Sequence, residues 1–337
     1  MADSFAVDSG PVISPRSGSS AMSGPPSVLP NPAATTGEAL PAATARMARL
    51  LREQVDPARR AASPAPGVRY LWGDRYIRSQ PVVYEPTICV LAAGRKVIRL
   101  GEEQFVYDAD NFLVVSVPLP VECEVFGSAD DPLIGFRLEI DPVALVELIS
   151  EMGRTEASTS SVPPRGIFAS RFNDGLRDAC LRLVECLGNP TDARILGPGL
   201  AREITYRILS TDQAHALRAV AIRHARFAQI SRVLQRIHRD PGAPVSVEAL
   251  AAEAAMSLTS FHESFRAVTQ TSPLQYVKTV RLHRARTLLI HEGLTAAEAA
   301  ARVGYESPSQ FSREFKRLFG RTPARDAAES RASLAQG

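Results

Sequence analysis

Ser257–Pro273, SLTSFHESFRAVTQTSP, and Ser307–Pro323, SPSQFSREFKRLFGRTP, are one pattern written twice, 50 residues apart. Ser257 aligns with Ser307, Phe261 with Phe311, Phe265 with Phe315, Arg266 with Lys316 and Pro273 with Pro323. Two aromatics at i and i+4, followed at i+7 by Val268 or Leu318, give each helix one apolar stripe and leave its opposite side polar and exposed. In the second copy Ser307 reads as the N-cap, Pro308 as the first helical residue and Gln310 as the return partner of a capping box.

Each copy follows a short Ala-rich helical segment and a tight turn: VEALAAEAA before Met256, and TAAEAAARV before Gly304-Tyr305-Glu306. Thr295 and Glu298 make a further capping box. Ala251, Ala252, Ala300 and Ala301 are small enough for two helices to cross closely, and Gly304 suits the bend of a helix-turn-helix. Between the copies, Ser272-Pro273 opens PLQYVKTVRLHRARTLLIH, whose inward positions read as Leu274, Val277, Val280, Leu282, Ala285, Leu288 and Leu289. At 19 residues this helix is roughly 28 Å long, enough to hold two recognition helices about 34 Å apart, one groove repeat. The competing reading is a plain helical bundle with solvated basic faces.

Charge supports the first reading. The whole chain is only +3, but residues 1–66, 67–222 and 223–337 carry +1, −5 and +7, and five of the six histidines fall in the last third. A basic module beside an acidic one is the footprint of a nucleic-acid binder whose other part does something else. With 337 residues, 45% hydrophobic and 22% charged, the chain is expected to be a soluble, multidomain globular protein. No apolar run reaches the roughly 18 residues of a membrane helix and no secretory leader opens the sequence, so the expectation is a cytoplasmic protein without membrane contact. Cys89, Cys123, Cys180 and Cys186 form no CxxC pair and are expected to stay reduced.

Residues 1–66 are dominated by Ala, Pro, Ser and Gly, which predicts a mostly disordered tail that buries no core, with one short amphipathic helix near 41–54. From Val68 to Ile140 the pattern changes to short strand-like runs, RYLW, TICVLAA, KVIRL, QFVYD, FLVVSV, VECEVF and LIGFRLEI. Their spacing predicts a small antiparallel sandwich or barrel. Helical periodicity returns in PVALVELISEM, DGLRDACLRLVECL and GPGLAREITYRILS, with Leu176, Cys180, Leu183 and Leu187 on one face, a packing or dimerisation layer.

The strands carry little catalytic chemistry. The first histidine of the chain is His215, past the strands, so imidazole ligands for a barrel metal are lacking. Neither a GxSxG elbow nor a GxxxxGK[ST] loop occurs, and no cofactor is implied. Trp72, Tyr84, Phe105, Tyr107, Phe112 and Phe126 read first as core; Trp72, Tyr84, Cys89 and Phe126 are the candidates for the wall of a ligand pocket. The barrel is therefore expected to bind or sense. A metal-free barrel enzyme, or a small-molecule-binding protein, with a helical appendage is the alternative.

LTAAEAAARVGYESPSQFSREFKRLFGRTP is similar to the second helix-turn-helix of the AraC/XylS transcriptional regulators. LAAEAAMSLTSFHESFRAVTQTSPLQYVKTVRLHRARTLL resembles their first helix-turn-helix and linking helix, the likeness spanning about Phe227 to Arg325. Upstream, YEPTICVLAAGRKVIRLGEEQFVYDADNFLVVSVPLPV resembles the N-terminal domain of one subgroup of that family. The resemblance implies an α+β, multidomain chain: a cupin-like antiparallel β-barrel with helices over 67–222, then an all-α tandem helix-turn-helix domain over 223–337. It further implies a non-enzymatic, DNA-binding transcription factor whose N-terminal domain senses an effector or mediates dimerisation; the partners expected are double-stranded DNA, a second copy as homodimer, a small-molecule effector and RNA polymerase. The first turn, Ala254-Ala255-Met256, departs from the family in lacking a glycine.

Helix geometry then selects the contact residues on recognition helices over about 258–268 and 308–319. With the phenylalanines inward, Thr259, Ser260, His262, Glu263 and Arg266 are free in the first copy, and Ser309, Gln310, Ser312, Arg313 and Lys316 in the second. Residues near the start of such helices meet base edges, while later Arg and Lys meet phosphate. Gln310 suits adenine, Arg313 guanine, and Glu263 the amino group of cytosine.

Overall fold

The computed structural model describes residues 41–55, 65–152, 166–211 and 226–334, with Ser63, Ala214, Leu217 and Arg218. Alternating apolar runs between Val68 and Glu139 form eight strands: β1 (Val68–Gly73), β2 (Ile77–Tyr84), β3 (Thr87–Ala93), β4 (Arg95–Leu100), β5 (Glu103–Tyr107), β6 (Asn111–Val115), β7 (Leu119–Phe126) and β8 (Leu133–Glu139). A ninth, β9 (Ile167–Arg171), follows a helix. They build two antiparallel sheets, ordered β1-β8-β3-β6-β9 and β2-β7-β4-β5. The two-residue period of a strand divides the first sheet cleanly. Cys89 and Leu91 of β3 enter the core between the sheets. Ile88, Val90 and Ala92 turn to the other side, where helices cover them.

The covering layer holds α1 (Ala42–Gln54), α2 (Pro142–Glu151), α3 (Asp174–Leu187), α4 (Pro190–Ile195) and α5 (Gly197–Leu209). The expected stripe of α3, Leu176, Cys180, Leu183 and Leu187, is buried in this second core. The expectation that residues 1–66 bury no core is corrected at α1. Met47 and Leu51 are 1% and 0% exposed, and Gln54 ties the helix down by donating to the Val184 carbonyl at 2.9 Å while accepting from the Tyr70 hydroxyl at 3.1 Å. The expected disorder of the rest of the tail falls on residues 1–40, 56–62 and 64, which lie outside the described residues.

Among the described residues, the helices α6 (Arg226–Arg239), α7 (Val247–Glu253), α8 (Leu258–Thr269), α9 (Pro273–His291), α10 (Ala296–Arg302), α11 (Pro308–Phe319) and α12 (Pro323–Leu334) follow. Serine or threonine side chains at Ser246, Ser257, Ser272, Thr295 and Ser307 accept from backbone N–H groups and start five of them. The buried residues of α6, α7, α8 and the first half of α9 do not form a core of their own: Phe227, Phe261, Phe265 and Tyr276 belong to the same apolar cluster as the barrel interior. Tyr276 seals the junction. Its hydroxyl donates to the Pro118 carbonyl at 2.6 Å and meets His238 Nε2 at 2.8 Å. The second half of α9 packs instead with α10, α11 and α12 in a separate cluster.

Candidate nucleic-acid interface

The two recognition helices, α8 and α11, are held by the same device. Phe261, Phe265, Phe311 and Phe315 are each 0% exposed, with ring centroids 5.5 Å apart in the first pair and 5.6 Å in the second. Burying one face fixes what the other presents. Thr259, His262, Glu263 and Arg266 are exposed in the first copy and Ser260 is half-buried; Ser309, Gln310, Arg313 and Lys316 are exposed in the second and Ser312 is half-buried. The structure thus gathers the candidates into two polar faces, one per helix.

Details near the helix starts differ from the sequence reading. Ser307 Oγ accepts from the Gln310 backbone N–H at 3.2 Å, but the Gln310 side chain does not return to the cap. Its Nε2 donates to Glu314 Oε1 at 3.1 Å. Glu314 also takes Lys278 Nζ at 2.9 Å and the Tyr305 hydroxyl at 2.8 Å. Burial pushes this carboxyl up, yet the hydrogen bonds from Lys278, Tyr305 and Gln310 outweigh it and hold its pKa below the ordinary glutamate value. The network braces α11 against α9. Leu274, expected inward, is exposed at the start of α9, and Leu258 is exposed at the start of α8. Sequence reasoning passed over Leu258, and also Arg317, which shares a surface cleft with Gln310, Arg313 and Glu314. The i+4 spacing from Arg313 to Arg317 was the available signal.

Both bends are Schellman turns. In the first, the N–H of Ala255 donates to Ala252 O at 2.9 Å and that of Met256 to Ala251 O at 3.0 Å; in the second, Gly304 donates to Ala301 O at 3.1 Å and Tyr305 to Ala300 O at 2.9 Å. Ala255 therefore stands where Gly304 stands, and each takes a left-handed backbone, φ 52° and 78°. The Thr295–Glu298 capping box is complete, its two backbone bonds 2.8 and 3.3 Å long.

The four barrel candidates do not converge. Tyr84 and Cys89 lie in the core between the sheets, where the Tyr84 hydroxyl is 3.3 Å from that of Tyr107 and 3.5 Å from Cys123 Sγ. Burial pushes the Tyr84 and Tyr107 hydroxyls and the Cys89 thiol above their ordinary pKa values. Trp72 packs instead with the helical layer. Phe126 is half-buried beside Tyr76, beneath the Arg95 guanidinium, 4.4 Å from its ring centre. Among the described residues no cluster of three His, Cys, Asp or Glu side chains is placed to hold a metal ion, and no helix is long and apolar enough to cross a membrane.

Residues 64–216 match the family description of the AraC-type transcriptional regulator N-terminus, and residues 250–328 match a helix-turn-helix domain. The chain is 37% identical over 95 residues to the HTH-type transcriptional regulator AlkR of Acinetobacter baylyi, covering 28% of this chain and 31% of that one. It is 39% identical over 95 residues to the RCS-specific HTH-type transcriptional activator RclR of Escherichia coli, covering 28% and 34%. The chain thus spans about a third of the length of these relatives. The fold resembles that of ToxT from Vibrio cholerae, solved with an unsaturated fatty acid bound, at a TM-score of 0.53 and 12% identity over 78% of this chain and 96% of that one.

Proposed function

Because the chain belongs to the AraC/XylS family of transcriptional regulators, we propose that it is a sequence-specific, DNA-binding transcription regulator and not an enzyme. The observation that carries this reading is the pair of polar faces on α8 and α11, each held by two fully buried phenylalanines and joined by a 19-residue helix. On each face short polar side chains lie near the helix start and Arg or Lys lies further along. That is the order in which a helix entering a major groove meets base edges and then phosphate.

Residues 223–337 supply the DNA contacts in this reading, and 67–222 bind a small-molecule effector and mediate dimerisation. The Tyr84, Tyr107, Cys89 and Cys123 groups give the barrel interior a polar centre within apolar walls. Exposed Val143 and Val146 on α2, Ile195 at the end of α4 and Tyr206 on α5 support a homodimer through the helical layer.

Selection of binding sites from random duplex DNA with the full chain tests the reading. A specific site should emerge, with affinity falling with salt at a log-log slope of about −0.9 per neutralised phosphate. Arg313→Ala should cost roughly 1 to 3 kcal/mol of specific binding without changing the melting temperature, and Lys316→Ala should weaken all sequences alike. Failure to enrich any site, or a flat salt response, overturns the reading.

A further inference from the structure

Along α9 the packing changes partner between two consecutive apolar residues. Tyr276, Val277 and Val280 belong to the core shared by the first helix-turn-helix and the barrel. Leu282, Ala285, Leu288 and Leu289 belong to the separate core of the second. Arg281 occupies the position between them. Its guanidinium reaches into both bodies: Nε donates to the Pro241 carbonyl at 2.8 Å, Nη2 to the Ala243 carbonyl at 2.9 Å and Nη1 to the Gly304 carbonyl at 3.1 Å. Pro241 and Ala243 lie in the loop from α6 to α7, on the first body; Gly304 forms the bend of the second helix-turn-helix.

The backbones around this group touch. A Cβ at Gly242 would stand 2.7 Å from the Arg302 carbonyl oxygen, and one at Gly304 would stand 2.7 Å from that of Gly242 and 3.1 Å from Arg281 Nη2. The two glycines therefore bring the bodies into direct contact and leave the space the guanidinium fills. Guanidinium donors diverge in one plane at fixed angles, so satisfying three carbonyls fixes those carbonyls relative to one another. The part-buried Lys278–Glu314 pair also joins α9 to α11, but a flexible ammonium imposes less direction than a guanidinium held by three carbonyls.

We propose that Arg281 is a positioning residue that locks the second recognition helix in register with the first, and so sets the spacing between half-sites that the protein accepts. The proposal rests on the DNA-binding reading above. With the lock in place, the second helix meets its half-site at an effective concentration that is high at one spacing and falls at others. Without it the same helix samples a wider volume, so the optimum weakens and the profile broadens.

The test uses the full chain and a site selected by it from random DNA, rebuilt with the half-sites moved apart by one base pair at a time through half a helical turn. The unaltered protein should lose about 100-fold or more in affinity at half a turn. Arg281→Met should lose about tenfold at the best spacing and should fall no more than about fivefold further at half a turn. Arg281→Lys should behave like Arg281→Met, because retaining the charge does not restore the three directed bonds. A residue that merely stabilised the fold would lower the melting temperature and affinity at every spacing alike. If Arg281→Met does not fold, Gly242→Ala, whose methyl group separates the two bodies without altering Arg281, should broaden the profile in the same way. An unaltered protein indifferent to spacing, or folded variants that keep its spacing profile, would overturn the proposal and leave DNA binding standing. If the unaltered protein selects no site, the functional reading itself fails and the proposal with it.

Discussion

The two helix-turn-helix units share a pattern and a fold, but they differ in what supports them. Phe261 and Phe265 sit in an apolar core that runs on into the barrel, whereas Phe311 and Phe315 sit in a separate core with the second half of α9, α10, α12 and the turns between them. The backbone differs in parallel. At the bend and at the end of the recognition helix both copies need a left-handed residue. The second uses Gly304 and Gly320, with φ 78° and 76°, and the first uses Ala255 and Gln270, with φ 52° and 57°. A side chain in that conformation costs about 1 to 2 kcal/mol per residue and persists where surrounding structure over-determines it. Such structure surrounds Gln270: a Cβ on Gly101, at the turn after β4, would stand 3.2 Å from its Cβ. The copy whose core merges with the barrel carries side chains in that conformation, and the copy with a core of its own uses glycine.

The largest effect that can break this comparison comes from emptying each core. Phe311→Ala should cost about 3 to 5 kcal/mol, the usual range for removing a buried ring. Because its core is separate, the loss should appear in calorimetry as an early transition of the second unit, with the barrel transition in place. Phe261→Ala should instead lower the main transition, since barrel and first unit share one core. If both variants moved one common transition equally, the two units would be a single cooperative body and the contrast would fail.

Gly304→Ala comes next. It puts a methyl group on a residue at φ 78° and 2.7 Å from the Gly242 carbonyl oxygen, so a loss of about 2 kcal/mol or more is expected from backbone strain and displaced contacts together. Chemical denaturation measures it. A change below about 0.5 kcal/mol would show the bend to be looser than its hydrogen bonds require.

His283 gives the separate unit a pH dependence of its own. The residue keeps a partly exposed edge, but its Nε2 is buried with no hydrogen-bond partner among the described residues, and the ring stands edge-on to Phe319 at 5.2 Å. Burial, with the neighbouring Arg286 charge, lowers its pKa from 6.5 to about 3. Between those values the unfolded chain holds a proton that the folded one does not, so this contribution is complete above pH 6.5 and is lost as the pH falls toward 3. The second unit should melt progressively earlier from pH 6.5 to 5, and His283→Gln should remove that slope. A slope unchanged in His283→Gln would place the acid sensitivity elsewhere.

How much of this was legible follows from the range of each signal. The recognition helices could be read because aromatic spacing, N-cap and proline all lie within one helix, and burial of the four phenylalanines follows from that spacing. Strand β2 escaped because Pro81 cannot donate to a ladder; it is accommodated on an edge, where β2 lies. Strand β9 escaped because α2 separates it from the sheet it joins. Helix α1 was legible as a helix, but the composition of residues 1–66 hid its burial. Alternation along β1 is the signal that places Trp72, with Val68 and Tyr70, on the side that faces the helices, apart from the other three pocket candidates. The role of Arg281 had no local signal, because its partners are backbone carbonyls 23 to 40 residues away.

The smallest effect is the sharpest test of the contrast between the bends. Ala255 and Gly304 make the same pair of Schellman hydrogen bonds, so exchanging their residue types asks whether support from the barrel or the residue itself sets the cost. In Ala255→Gly two terms oppose. The left-handed backbone is relieved of about 1 kcal/mol, while the added freedom of glycine in the unfolded chain takes back about 0.4 to 1 kcal/mol. The net should lie between zero and about 0.5 kcal/mol of stabilisation, at most a small rise in melting temperature. That is opposite in sign to Gly304→Ala and several times smaller. A stabilisation above about 1.5 kcal/mol would mean that Ala255 carries more strain than a left-handed alanine should. A clear destabilisation would mean that its methyl group packs against something worth more than the strain. Either result would show that the bends differ in more than the residue at one backbone position.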